Sequence, residues 1–240
     1  MAQKIIYVPE IGELILSKRR GATNMRLSIN AAGKIRVGMP YWAPYQAGVA
    51  FAKSKADWIN KNLATHSVQL LQDGDLIGKS HRLKFVYKPL QKTTIAKVGA
   101  NSITVTSPYD ITSPRVQKKI HQVSEKALKA EAEFLLPQRL EALAKRHGYE
   151  YKSVQTRKLI SRWGSCSSTK IITLSYYLVQ LPWSLIDYVL VHELIHTRHM
   201  NHGKEFWDDF KKITPNARIL QKEIRAYKPL VQAYKIIPGK

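Results

Sequence analysis

The sequence of 240 residues is poor in acidic side chains and in cysteine, and it contains no long apolar run. A membrane helix needs roughly 18 or more apolar residues in a row, and no stretch approaches that length. The segment from Met1 to Pro9 also lacks the apolar core of a signal peptide. The single cysteine, Cys166, excludes an internal disulfide and is typical of a reducing cytoplasm. We therefore expect a soluble cytoplasmic protein in which Cys166, in a turn beside Gly164, is a packing residue, with a nucleophile or a metal ligand as the alternative roles of this thiol.

The shortage of acidic residues leaves a large positive charge, since 39 Lys and Arg stand against 17 Asp and Glu, for a net +22. Residues 1–107 hold 16 basic against 5 acidic side chains and residues 108–240 hold 23 against 12, so each part carries +11. Such a potential attracts polyanions, most often nucleic acid, with acidic protein or nucleotide phosphate as alternatives. No base-reading motif is present, so nucleic-acid contact would be phosphate-directed and sequence-neutral. A generally basic composition without a partner is the other interpretation.

The most informative motif is His192-Glu193-Leu194-Ile195-His196. Two histidines four residues apart project from one helix face and can offer two imidazole nitrogens to one metal. Glu193 is the candidate general base, because a catalytic zinc lowers the pKa of its water to about 7 and a nearby carboxylate can deprotonate it. The motif predicts a zinc hydrolase. A chance match is the alternative, but the apolar residues around the motif would bury two unbonded imidazoles at a cost.

A catalytic zinc needs a third protein ligand, and the candidates are His199, His202 and Glu205. Three ligands from one straight helix cannot close around a metal, so the chain must turn first. Asn201 and Gly203 tolerate turn conformations, which favours His202. The metzincin pattern has its third histidine at the same offset, but here His199 replaces the glycine of that pattern and no Met-turn follows. Glu205 would give the two-histidine, one-carboxylate site of thermolysin.

Further motifs lie on both sides of this helix. They are Arg162-Trp163-Gly164-Ser165-Cys166, then Asp187-Tyr188-Val189, then Asn201-His202 and Phe206-Trp207. In order and spacing they closely resemble the YgjP-like metallopeptidase family, a relative of the SprT-like zinc proteases. The resemblance is specific from about residue 155 to 210 and weaker upstream. Ile195 and Gly203 depart from the residues that many relatives carry, and neither would be a ligand.

The resemblance implies a zincin-like metallohydrolase whose physiological substrate is poorly defined. By that resemblance Glu193 is the catalytic acid and base, and the ligands of Zn²⁺ are His192, His196 and His202. The kinship with SprT-like proteases also suggests cleavage of proteins bound to DNA. A cationic donor to the oxyanion is expected, and the candidates are Arg162 or, in its place, a phenol hydroxyl of Tyr176 or Tyr177, although a structural role is favoured for each of the three.

Two other functions compete with peptide hydrolysis. One is a metal-dependent nucleoside triphosphate pyrophosphohydrolase of the UTP type, whose anionic substrate would suit a basic cleft. Phosphoryl enzymes usually favour Mg²⁺ with oxygen ligands, whereas imidazoles suit zinc. The other is a nucleic-acid-binding protein with a structural zinc, but such a site has no use for Glu193. Peptide hydrolysis therefore leads, and the sequence sets no oligomeric state.

We predict an α+β fold in two parts. Residues 1–107 would form a β-rich α+β module, and residues 108–240 a zincin-like metallopeptidase domain with an active-site helix and a backing helix. In the first part, strands at 25–29 and 34–38 flank a hairpin loop over Asn30–Gly33, and a helix runs from Pro44 to about Leu71. Further strands are expected at 83–87 and 102–106.

In the second part, Ser113-Pro114 begins the backing helix, which runs to about Gly148 and should kink or break at Pro137. Strands at 153–161 and 171–176 follow, joined by a turn at Arg162–Cys166. One of them is the candidate substrate-binding strand. Pro182 begins the active-site helix, a basic helix covers 216–227, and core packing is expected for Phe206, Trp207 and Phe210.

Overall fold

The computed structural model describes residues 3–29, 34–65, 70–227 and 229–231. The chain divides into two compact units, one before residue 70 and the other Leu70–Gln232. Helices and small sheets occur in both units, which confirms the predicted α+β class. None of the described helices combines the length and apolarity needed to cross a bilayer.

The first unit contains a sheet with the strand order β1-β2-β4-β3, followed by helices. Its strands are β1 (Gln3–Val8), β2 (Gly12–Arg19), β3 (Arg26–Ile29) and β4 (Ile35–Pro40). Strands β3 and β4 are antiparallel, as a hairpin requires, and the predicted loop Asn30–Gly33 lies outside the described residues. Ile35, Val37 and Met39 alternate into the core along β4.

Within the described residues, the predicted helix from Pro44 to Leu71 is two helices, α1 (Tyr45–Lys53) and α2 (Ala56–Thr65). Residues 66–69 of the prediction lie outside the described part of the chain. Ser54 ends the first one, and its hydroxyl donates a hydrogen bond of 2.9 Å to the carbonyl of Phe51. A serine that bonds to nearby backbone in this way competes with helix propagation. The apolar face that we predicted for one helix therefore belongs to two.

The second unit begins with a sheet of order β5-β6-β8-β7. Its strands are β5 (Leu76–Ile77), β6 (His81–Tyr87), β7 (Ile95–Val98) and β8 (Ser102–Ser107). Ile103 and Val105 of β8 share one core with Val116 and Ile120 of the helix that follows. The compact units therefore divide at residues 69 and 70, earlier than the predicted boundary at 107 and 108.

The long helix α3 (Pro114–His147) backs the rest of the unit, with both predicted ends in place. The Ser113 hydroxyl accepts a hydrogen bond from the backbone N–H of Val116, and Gly148 ends the helix in the left-handed region at φ 68°. The predicted break at Pro137 does not occur. Buried Leu136 and Leu140 hold this part of the helix in the core, so it continues past the proline.

A three-stranded sheet and three helices complete the unit. The strands are β9 (Ser153–Arg157), β10 (Gly164–Cys166) and β11 (Ile171–Ser175), in the order β10-β11-β9. A 3₁₀ helix (Tyr176–Gln180) leads to α4 (Trp183–Ile195), α5 (Lys204–Ile213) and α6 (Ala217–Ala226). The segment predicted as a turn, Arg162–Cys166, thus contains an edge strand.

Candidate metal centre

Three histidine rings converge at the C-terminal end of α4. The Nε2 atom of His192 lies 3.2 Å from Nε2 of His196 and 3.1 Å from Nε2 of His202. Two ligands of a tetrahedral zinc, each about 2.0–2.1 Å from the ion, are about 3.4 Å apart. The observed spacing is close to that value. Among the described residues these three histidines form a group whose ligand atoms lie close enough together to hold one metal ion. Imidazole nitrogens are common ligands of zinc.

The chain turns between His196 and His202, as three converging ligands require. Helix α4 ends at Ile195. The carbonyl of Ile195 accepts hydrogen bonds from the backbone N–H groups of Arg198, at 3.0 Å, and His199, at 2.9 Å. The Arg198 guanidinium also donates to the carbonyl of Gly148, at the end of α3. Tightened helical turns therefore end α4 and redirect the chain.

The expected use of Asn201 and Gly203 in this turn is not observed. Gly203 is extended, with φ −73°, and Asn201 is not among the residues with positive φ. A residue with a side chain can adopt such a conformation at no special cost. The prediction of a turn was right, but the conformational reason given for it was wrong.

His199 lies outside the cluster of three rings and forms a hydrogen bond with one of them. Its backbone carbonyl accepts a hydrogen bond of 2.9 Å from Nδ1 of His196, which leaves Nε2 of that ring with a lone pair for a metal. Its own ring lies 3.1 Å from the Asp209 carboxylate and 3.5 Å from the Glu205 carboxylate. The Glu205 side chain is 85% exposed. The two other candidate ligands are thus engaged with each other.

Burial keeps the imidazoles of α4 neutral. It lowers the pKa of His192 to about 3, and the neighbouring rings of His196 and His202 act in the same direction. Burial also lowers the pKa of His196. A metal binds the neutral imidazole, so a site that disfavours the imidazolium competes less with protons for the ion.

Phe206 fixes the positions of the three rings. It is fully buried, and its ring centroid lies 5.0 Å from His192, 4.8 Å from His196 and 4.7 Å from His202. Phe210 is also fully buried, and Trp207 packs against the core, as predicted. Helix α5 therefore supplies an apolar wall behind the histidines.

The side chain of Glu193, in α4, lies against Gly164 of the edge strand β10, and only 5% of the residue is exposed. A β-carbon on Gly164 would lie 2.7 Å from the Oε1 atom of Glu193 and 2.9 Å from its Cγ. Such distances are too short for two non-bonded atoms, so a residue with a β-carbon at this position would require a shift of Glu193 or of the strand. From the sequence, Gly164 was predicted only as part of a turn. The signal that could have identified it was its place in the Arg162–Cys166 motif.

The Glu193 carboxyl is buried, and the Arg162 guanidinium is near enough to act on its charge. Burial raises the pKa of its carboxyl to about 8, while the Arg162 guanidinium acts in the opposite direction. A divalent cation beside the carboxyl would also lower this pKa, because it favours the charged form. Burial likewise raises the pKa of the Cys166 thiol to about 11. Cys166 packs against the core, as expected of a structural residue.

The two tyrosines weighed as oxyanion donors belong to another cluster. The Tyr177 hydroxyl donates a hydrogen bond of 2.6 Å to the Glu125 carboxylate of α3, and both Tyr176 and Tyr177 are buried. Their ring centroids are 4.6 Å apart. Of the three predicted donors, Arg162 is the one whose charge reaches Glu193.

Comparison with known proteins identifies relatives of this chain. The family described as YgjP-like, metallopeptidase domain, matches residues 23–227. The metallopeptidase zymogen of Pyrococcus abyssi abylysin is similar in structure, with a TM-score of 0.36 and 26% identity over 38% of this chain and 93% of its own. The metallopeptidase zymogen of Methanocaldococcus jannaschii jannalysin has a TM-score of 0.35 and 20% identity over 38% of this chain and 94% of its own. No curated protein sequence matches the chain.

Proposed function

The chain belongs to the YgjP-like metallopeptidase family, and from this premise we propose that it is a zinc-dependent peptidase with Glu193 as its general base. The observation that supports the proposal most directly is the convergence of three imidazole nitrogens beside a buried carboxylate. In this assignment the metal ligands are His192, His196 and His202. Imidazole nitrogens favour zinc over Mg²⁺ or Ca²⁺, which prefer oxygen ligands.

When bound, zinc would supply a Lewis acid that polarises the scissile carbonyl and makes water acidic enough to react at neutral pH. Glu193 would take a proton from the attacking water and deliver it to the leaving amine. Its side chain lies against Gly164, in the edge strand β10. Arg162 is the proposed donor to the oxyanion, since its charge already acts on Glu193.

Strand β10 is the proposed place for the substrate backbone. Strand β11 pairs on both sides, with β9 and β10, so it has no free edge. Strand β10 pairs only with β11 among the described residues, and its Gly164 touches Glu193. An extended peptide that added to this edge would lie beside the general base. We therefore expect an extended peptide or protein substrate.

The test combines metal analysis with peptide cleavage by the full chain. We expect about one zinc per wild-type chain after dialysis and cleavage of a fluorogenic peptide library. Glu193→Gln should keep the zinc and lose at least about 100-fold in turnover, because a general base contributes 10²–10⁴-fold. His202→Ala should lose the zinc. His147→Ala, which removes an imidazole elsewhere in the second unit, is the control and should change neither result.

Each outcome separates one part of the proposal. Full cleavage by Glu193→Gln would exclude its role as general base, and zinc retained in His202→Ala would place the third ligand elsewhere. Incubation of the same preparations with UTP tests the nucleotide alternative, since pyrophosphate release without peptide cleavage would replace the peptidase proposal. Zinc without turnover of either substrate would leave a structural site.

A further inference from the structure

One exposed face of α3 is strongly basic. Arg115, Lys118 and Lys126 are exposed and follow the three- and four-residue spacing that places side chains on one side of a helix, and half-buried Lys119 lies beside them. From Arg115 to Lys126 the helix rises about 17 Å. The opposite face is the apolar one, buried in the core of the second unit.

Two clefts adjoin along this face. The first has a volume of about 330 Å³, and its lining includes Lys92, Arg115, Lys118 and Lys119, together with Tyr109. The second has a volume of about 430 Å³ and is lined by Lys119, Gln122, Lys126 and Lys129, among others. Lys119 and Gln122 line both clefts, so the two clefts are neighbours on this face, and we call them together the α3 groove.

The positive charges of the α3 groove are largely uncompensated. Within the described ranges, no ion pair forms at Lys92, Lys118, Lys119 or Lys126. Two carboxylates offset part of this charge: Glu125 also lines the second cleft, where it bonds to Lys158 at 2.6 Å and to the Tyr177 hydroxyl, and Glu133 pairs with Lys129 of that cleft at 3.6 Å. The first cleft is lined by cations without a carboxylate and the second by three lysines against Glu125, and clefts with such an excess of one charge concentrate counter-ions from solution.

We propose that the α3 groove binds single-stranded nucleic acid through its phosphates. A linear row of cations suits the linear charge of a phosphodiester chain. Tyr109 favours nucleic acid over an acidic protein, because 41% of it is exposed at the first cleft and aromatic rings stack on unpaired bases. Arg115 holds this ring, with its guanidinium carbon 5.2 Å from the centroid and a hydrogen bond of 3.0 Å to the hydroxyl.

The groove is separate from the catalytic proposal. None of the three histidines, nor Glu193, lines either cleft. Binding is therefore expected to survive Glu193→Gln and removal of zinc. Failure of the peptidase proposal and failure of this one would be seen in different measurements.

The test is fluorescence anisotropy of a labelled single-stranded oligonucleotide of about 20 nucleotides with the full chain, at several salt concentrations. Replacement of Lys118, Lys119 and Lys126 together by alanine should weaken binding at least about tenfold. It should also reduce the slope of log K against log salt by about 2, because each phosphate contact in a single strand contributes about 0.7. Unchanged affinity and slope would overturn the proposal.

A control with the same loss of charge carries Lys152→Ala, Lys211→Ala and Lys222→Ala, three exposed lysines of the second unit outside the groove. It should bind within about twofold of wild type if local contact matters more than net charge. Equal weakening in the two triple variants would overturn the proposal. If the triple groove variant does not fold, as judged by circular dichroism, the single variants Lys118→Ala and Lys126→Ala test the proposal instead. Each should reduce the slope of log K against log salt by about 0.7.

Tyr109 tests the nature of the partner. Tyr109→Ala should weaken single-strand binding at least about fivefold, since stacking on an aromatic ring contributes about 1 kcal/mol or more per base, and Tyr109→Phe should restore most of the affinity. Equal binding of a duplex, with no effect of Tyr109→Ala, would exclude a single-strand site. Equal competition by polyglutamate at matched charge concentration would make the partner an acidic protein and overturn the proposal.

Discussion

At the scale of single residues, the contact of Gly164 with Glu193 shows how close packing places a buried carboxylate. Gly164 belongs to β10 and Glu193 to α4. The Glu193 carboxylate occupies the space that a side chain at position 164 would need. Close approach of this kind is a role that only glycine can fill without displacement. The position of the carboxylate therefore depends on a residue with no functional group.

Gly164→Ala should move the Glu193 carboxylate and lower peptide turnover by at least about 100-fold, while zinc content stays near wild type. The added methyl group would lie 2.7 Å from Oε1, so one of the two must shift. Steady-state kinetics and elemental analysis measure the two effects. Gly203→Ala is the matched control, because nothing lies within 4 Å of its β-carbon. Equal turnover in the two variants would contradict the argument.

At the scale of elements, Glu131 joins α3 to the loop that connects β5 and β6. Its carboxylate accepts hydrogen bonds from the backbone N–H groups of Lys79, at 2.6 Å, Ser80, at 3.1 Å, and His81, at 3.2 Å. The His81 ring lies 2.5 Å away through Nδ1. The carboxylate is buried, so water cannot replace it as the acceptor for these donors.

Glu131→Ala should lower the free energy of unfolding by about 3–5 kcal/mol, the usual cost of removing one partner from a buried ionic group. Urea denaturation followed by circular dichroism measures the change. Glu133→Ala, on the exposed side of the same helix, removes a surface ion pair and should cost less than about 1 kcal/mol. Similar midpoints for the two variants would show that the buried carboxylate does not anchor the loop.

At the scale of the whole molecule, the metal site should couple to stability. The three histidines come from α4 and from the segment before α5, so a bound ion would join two elements of the second unit. Because the unfolded chain does not hold these side chains together, zinc should bind the native state preferentially. Such binding raises the free energy of unfolding, by about 2.7 kcal/mol when free metal is 100 times its Kd.

Zinc added to chelator-treated protein should therefore raise the Tm by several degrees, and Mg²⁺ should not. Differential scanning calorimetry measures the shift in wild type and in His202→Ala. The variant should show little or none of it, because two imidazoles are left of the three that converge. A full zinc shift in His202→Ala would mean that the stabilising site is elsewhere.

The sequence by itself determined the features that depend on neighbouring residues. The cap at Ser113 and the left-handed end at Gly148 are local, so the ends of α3 could be predicted. The four-residue spacing of His192 and His196 likewise places both rings on one helix face. Binary patterns along strands such as β4 and β8 were enough to indicate an α+β fold.

Only the tertiary structure decided how distant segments meet. Gly164 packs against Glu193, and Pro137 stays within a continuous helix because the core holds its neighbours, neither of which a local pattern contains. The division of the compact units before β5 follows from packing of β8 on α3, not from composition. The physical reason is that capping and periodicity act within a few residues, whereas burial and close packing depend on the folded arrangement of the whole chain.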